Sequence, residues 1–427
     1  MNRTAIAEVK GRRVWDSRGR PTVEAEVRLT SGAIGRAIAP AGASTSAFEA
    51  VDRRDGGERF AGADVRGALA AINDDIAHAL SGADAADQNA VDHRLIALDG
   101  TANKSRLGGN ATIAVSMAAA HAAAAELRLP LWRYFGGSRA SLLPLPEIQI
   151  FGGGAHAGRR VDLQDFMVIA VGAASFVEAL EWTAEIYRAA DRLMAESGRL
   201  AGVADEGGFW PAFDSNEQAI EMLLRAIERA GFKPQEQVAI SLDVAASQFG
   251  RDGRYRMGLD ERELDGDGLA DLLLGWLKRY PIVSIEDPLA EDDAPGLARF
   301  TEAAGANVQV VGDDFLVTNA SRIERAAEIG ACNATLIKPN QAGTVSETNA
   351  AFLAARRAGW GAIVSARSGE SEDVTIVHLA VGWGAKQLKV GSFARSERMA
   401  KWNEGLRIAE ALGGDGPLPP RGEFPWG

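Results

Sequence analysis

Ser284-Ile285-Glu286-Asp287-Pro288 closes the apolar run from Tyr280 to Ile285. Two carboxylates follow a short β-type run and a proline then stops it. A strand of an alternating β/α barrel hands its last side chains to the active-site face in this way. Similar endings flank it, Ile240-Ser241-Leu242-Asp243 ahead and Val308-Gln309-Val310-Val311-Gly312-Asp313-Asp314 behind. Asp243, Glu286 and Asp313 are 43 and 27 residues apart, which suits one to two β/α units each. Surface acids often follow strands, so one such ending says little. Three at consecutive strand ends form an oxygen-rich site of the kind a hard cation such as Mg²⁺ prefers.

The same rhythm extends to both sides. Strand-like runs at Ile148–Phe151, Phe166–Val171, Val238–Leu242, Val283–Ile285, Val308–Val311, Ala334–Ile337, Ala362–Val364 and Gln387–Val390 alternate with helical stretches, the clearest at 174–197, 215–230, 268–278, 321–329 and 345–358. Eight strand candidates with their helices predict a β/α barrel rather than a doubly wound sheet. The first forty residues read differently, as strands over 5–15, 22–29 and 33–39, followed by helical periodicity over 65–80, 90–98 and 110–127. Strands followed by a block of helices indicate a separate α+β unit. Pro130 and Leu143-Pro144-Leu145-Pro146 mark the junction, giving an α+β capping domain over 1–140 and a barrel over 141–427. The Gly- and Pro-rich tail, 413–427, is expected along the surface.

At 427 residues the chain exceeds what one small core organises. A net charge of −12 argues against broad nucleic-acid or anionic-membrane binding. The single Cys332 excludes an intramolecular disulfide and suits a reducing cytoplasm. Residues 1–20 lack the apolar core of a signal peptide, and the stretch Ala118–Ala125 is too short for a bilayer. A cytoplasmic protein is expected.

Further groups stand at strand ends. Lys338, directly after 334–337, is a candidate general base, or a lysine snorkelling from a strand end. Lys389 either neutralises a substrate carboxylate or pairs with one of the acids. In Ser365-Ala366-Arg367-Ser368-Gly369-Glu370, Arg367 offers a bidentate fork and Ser368 a hydroxyl, both suited to phosphate. Asp205-Glu206-Gly207-Gly208 is a turn that leaves Glu206 as a possible acid. Gly152 to Gly158 is flexible enough to fold over a ligand, and His156 is its only ionisable group. It lacks the strand-to-helix glycine fingerprint of a dinucleotide site.

As a set these segments resemble the enolases through nearly the whole chain: S-R-G-R-P-T-V-E at 17–24, G-A-S-T at 42–45, L-G-G-N-A at 107–111, H-A-G at 156–158, D-E-G-G at 205–208, S-L-D at 241–243, S-I-E-D-P at 284–288, D-D at 313–314, K-P-N-Q at 338–341, R-S-G-E at 367–370 and A-R-S-E-R at 394–398. The resemblance implies an α/β fold, an N-terminal α+β cap on a modified, TIM-like β/α barrel, assembled as a homodimer or larger. It implies two Mg²⁺ ions per site, the tighter held by Asp243, Glu286 and Asp313 and the second helped by Ser44. Lys338 would remove the proton beside a carboxylate, Glu206 and Asp165 would attend the departing hydroxyl, and Lys389 would meet the carboxylate. Arg367 and Ser368 would hold phosphate, with His156 and Gln164 also contacting the substrate.

Four positions depart from the family pattern. Ala366 stands where enolases carry histidine, and Phe48 where a second loop histidine falls. Asp165 replaces a glutamate, and Arg159 and Arg160 replace small residues after H-A-G. The metal, base and phosphate groups persist while the surroundings of the leaving hydroxyl and the lid change. This favours a paralogue similar to carboxyphosphonoenolpyruvate synthase, acting on a phosphorylated or phosphonylated carboxylate whose extra charge Arg159 and Arg160 would greet; both arginines pointing to solvent is the alternative. An ordinary phosphopyruvate hydratase and a non-catalytic scaffold are the competing readings, and retention of so many buried charges speaks against the scaffold.

Overall fold

The computed structural model describes residues 2–43, 46 and 48–427. Ser44, expected to help bind a second cation, lies outside the described residues.

The chain begins with an antiparallel meander, β1 (Ile6–Trp15), β2 (Pro21–Leu29) and β3 (Ile34–Ile38). Its buried face carries Val9, Val23, Ala25 and Val27. Onto it packs the helix Gly109–Glu126, whose alanines are buried nearly all round. The approach is backbone to backbone: a Cβ on Gly35 of β3 would overlap the carbonyl oxygen of Ala118. Arg66–Ala71, Ile72–Ile76 and Ala77–Leu80 run on as one helical stretch with a π-type turn at its centre, and Gln88–Asp99 completes the layer.

The second body is a closed eight-stranded barrel. It contains β4 (Leu145–Gly152), β5 (Asp165–Ile169) and β6 (Ala239–Asp243). A small hairpin sheet of β7 (Gly250–Arg251), β8 (Arg254–Met257) and β9 (Arg262–Asp265) follows outside the barrel. The barrel resumes with β10 (Ile282–Glu286), β11 (Gln309–Gly312), β12 (Ala334–Ile337), β13 (Gly361–Ser365) and β14 (Gln387–Ser392). All eight expected strands form. One runs backwards: β5 pairs antiparallel with both β4 and β6, while every other neighbouring pair is parallel. Two helices, Phe176–Glu196 and Asn216–Arg229, separate β5 from β6. Because β5 is reversed, its first residue shares a rim with the last residues of its neighbours, in the register Asp165↔Asp243↔Glu286.

The tail runs largely along the surface, as expected, and is anchored at Phe424. Phe424 is buried against Leu145, Ile169, Val171, Ala239 and Val283, and stacks on Trp426 at 4.7 Å, closing the end of the barrel opposite the acids. The apolar floor of a barrel left open would face water, and an aromatic ring covers it at the cost of ordering few residues. The helices Leu131–Gly136, Ala294–Ala304, Thr375–Trp383 and Ser396–Ala411 were not among the clearest by periodicity. Thr375–Trp383 is buried on nearly every side, so burial erases the polar stripe that periodicity reads.

Candidate functional site

The barrel delivers its charged side chains to one rim. Asp243 and Glu286 end β6 and β10, and Asp313 and Lys338 directly follow β11 and β12. Arg367 and Ser368 leave β13. Lys389 lies inside β14 rather than at its end, in register with Ser365 and Glu147. A small cavity of about 20 Å³ is lined by His156, Gln164, Asp165, Glu206, Asp243, Lys338, Arg367, Ser368 and Lys389, among others. The structure thus gathers nine residues singled out from sequence around one point. It leaves Arg159 and Arg160 outside: Arg159 is exposed with φ 59°, Arg160 is half-buried, and neither lines the cavity.

The amines are engaged by the acids. The Lys389 ammonium donates to Asp243 Oδ2 at 2.9 Å and Glu286 Oε2 at 2.7 Å, and stands 3.5 Å from Asp165 Oδ2. Lys338 donates to Asp313 Oδ2, whose other oxygen accepts from Gln341 Nε2 at 3.0 Å. Burial pulls both ammonium pKa values down, but the carboxylates outweigh it and leave both raised. The Glu286 carboxyl is pushed well above its usual range, first by burial and then by the neighbouring Asp243. For Asp313, burial raises the pKa and Lys338 outweighs it, so the net direction is down.

A second group stands beside the lid. His156 Nδ1 is 3.1 Å from Asp165 Oδ1 and its Nε2 is 3.7 Å from Glu206 Oε1. Burial lowers the imidazole pKa, while Glu206 and Asp165 raise it further than burial lowers it. Asp165 also accepts from Gln149 Nε2, and its pKa is lowered overall: burial opposes this, and His156 and Lys389 outweigh it. Arg367 donates to Glu49 Oε2 at 2.9 Å and Asn340 Oδ1 at 3.1 Å, and Ser368 Oγ accepts from Arg18 at 3.2 Å. Gln149, Gln248, Glu49 and Arg18 were given no site role by sequence reasoning. Arg18 and Glu49 lie in or beside quoted motifs; Gln149 is marked only by being a polar residue in an otherwise apolar run.

The residues present fit a cation. Asp243 Oδ1 and Glu286 Oε1 are fully buried and accept no hydrogen bond. A desolvated carboxylate oxygen without a donor is costly, and a divalent ion is a partner that offsets the cost. Among the described residues, two groups bring ligand atoms within 4.8 Å of one another: His156, Asp165 and Glu206, and Asp287, Asp313 and Asp314. The sequence-derived trio Asp243, Glu286 and Asp313 is not one of them, because Lys389 stands between the first two and Lys338 holds the third. Asp287 instead braces the next strand end, accepting from the backbone of Asp313 at 2.9 Å and of Asp314 at 2.8 Å.

Ala366 is buried and lines the cavity with a methyl group, which offers no hydrogen bond. Phe48 is 56% exposed, with the Arg322 guanidinium 4.3 Å from its ring centre.

An α+β cap and a closed barrel with one reversed strand, carrying acids and amines together on one rim, define a capped β/α-barrel protein. Models of the enolase N-terminal domain and of the enolase C-terminal TIM barrel domain match residues 6–135 and 140–420. The chain belongs to the enolase family. No helix among the described residues is long and apolar enough to cross a membrane.

Proposed function

We propose that this protein is a Mg²⁺-dependent lyase-type enzyme that removes a proton next to the carboxylate of a 2-phosphoglycerate- or phosphoenolpyruvate-like ligand, as a divergent paralogue related to carboxyphosphonoenolpyruvate synthase. The observation that carries this reading is the convergence of Lys338, Lys389, Arg367 and Glu206 on one cavity with Asp243 and Asp165, each of which keeps one unpartnered carboxylate oxygen. Asp243, Glu286 and Asp313 would hold the ion. When bound, it supplies the positive charge that a doubly anionic carboxylate needs, the pattern general to the enolase superfamily.

The remaining work belongs to side chains. Lys338 takes the proton as the neutral amine, after its ammonium has left Asp313 and given up one proton to solvent. Lys389 holds the substrate carboxylate, and Arg367 and Ser368 hold the phosphate. Asp165, Glu206 and His156 surround the departing group. The cavity has room for little more than a water, so a phosphorylated three-carbon acid enters only as the lid over His156 and the loop carrying Glu49 draw back. Arg159, exposed on that lid, meets an additional anionic group at the entrance.

Ala366 separates this reading from ordinary phosphopyruvate hydration. Loss of general-acid assistance costs about 10²–10⁴-fold. The protein with Mg²⁺ and 2-phosphoglycerate should therefore exchange the C2 hydrogen with deuterated solvent faster than it forms the enol chromophore, and Lys338→Ala should abolish both. Dehydration as fast as that of a glycolytic enolase would overturn the paralogue assignment; exchange that survives Lys338→Ala would overturn the mechanism. The family resemblance also supports a homodimer, which light scattering on the purified protein tests.

A further inference from the structure

Gln248 is half-buried, follows β6 on a short helical turn, and belongs to no motif quoted above. Its side chain makes two bonds in the site. Oε1 accepts from the backbone N–H of Ala155 in the lid at 3.0 Å, and Nε2 donates to Gln164 Oε1. Gln164 then donates through Nε2 to Asp243 Oδ2 at 2.9 Å. The backbone approaches closely here: a Cβ on Gly154 would stand 3.0 Å from Gln248 Oε1 and 3.1 Å from Gln164 Cα.

A side-chain amide has a donor end and an acceptor end, and nothing intrinsic decides which faces a given neighbour. Here the direction is imposed from both ends. A backbone N–H can only donate, so Gln248 must turn its oxygen to the lid and its NH₂ to Gln164. Gln164, its oxygen occupied by Gln248, must then present its own NH₂ to Asp243 Oδ2. Lys389 also donates to Asp243 Oδ2, so both donors fall on one oxygen and Oδ1 stays unpartnered.

We propose that Gln248 is a positioning residue that fixes the orientation of Gln164, and through it turns Asp243 Oδ1 toward a bound cation, while holding the lid at Ala155. Gln248 touches neither substrate nor ion in this role. The Asp243 half rests on the metal reading given above; the lid half does not.

The test uses the full chain with Mg²⁺ as the probe. Gln248→Met, close in size, should weaken Mg²⁺ binding by calorimetry about 10–100-fold, as loss of a residue that orients a ligand typically does. In the ion-free protein it should speed exchange of the Ala155 amide about fivefold, the worth of one hydrogen bond. Gln164→Leu should weaken Mg²⁺ binding while leaving Ala155 protected. In the double variant Gln248→Met should cost no further affinity, since residues acting in series are not additive. Additive losses, or an Ala155 amide indifferent to Gln248, would overturn the proposal. Gln248→Leu serves as a second variant should Gln248→Met unfold. A wild-type protein that binds no Mg²⁺ would remove the metal reading and the Asp243 half together, leaving Ala155 exchange to decide the latch.

Discussion

Lys389 is the residue on which the electrostatics of the rim turn. Its ammonium is the shared partner of Asp243 and Glu286, with Asp165 close by, all buried. Removing one partner from a buried charge cluster costs about 3–5 kcal/mol, because the uncompensated charge remains in a medium that solvates it poorly. Lys389→Met should lower thermal stability by that order. Mg²⁺ should then raise the melting temperature of the variant more than that of the wild type, since a dication restores the missing charge; equal shifts would show that the acids do not take the ion. Sequence made Asp243 and Glu286 legible as strand endings, and of the two readings of Lys389 the structure shows the pairing with acids. What sequence could not supply was partner choice. Nothing near Arg367 in the chain announces that Glu49, more than three hundred residues away, would occupy its guanidinium.

Among elements, the meander and its helix depend on a close approach. Gly35→Ala would force β3 away from Gly109–Glu126, since the clash is with backbone and no rotamer relieves it. Overpacking of this kind costs about 1–3 kcal/mol, and denaturant unfolding should show it; an unchanged midpoint would mean the helix slides without penalty. The barrel strands were readable because each is a short apolar run bounded by a turn signal. The reversal of β5 was not, since a parallel and an antiparallel buried strand have the same apolar composition. Pairing direction follows from the path of the connection, here a link from Gly152 to Asp165 that holds one short turn, Gly154–Ala157, and no crossover helix.

At the scale of the whole molecule, cap and barrel meet across two histidines. His121, on the cap helix, sits 2.9 Å from the Thr375 hydroxyl of the barrel. His378, three residues on from Thr375, is buried 3.4 Å from Glu404, with Nδ1 unpartnered. Burial depresses both imidazoles, and His378 falls to about 4 against partial opposition from Glu404. A folded-state pKa below the unfolded value of 6.5 means that the unfolded chain binds more protons between those limits. Stability contributed by the neutral rings is present above pH 6.5 and is lost as pH falls toward 4. His378→Gln should flatten the decline of melting temperature over that window; an undiminished slope would assign the acid sensitivity to the carboxylates.

The backward strand has a practical corollary for anyone re-engineering this scaffold. Because β5 enters the rim instead of leaving it, Asp165 follows His156 by only nine residues in the chain, so their spacing is a property of one continuous segment. A transplanted loop that stopped short of Asp165 would separate the imidazole from its carboxylate, and residues 153–165 must be exchanged as a single cassette.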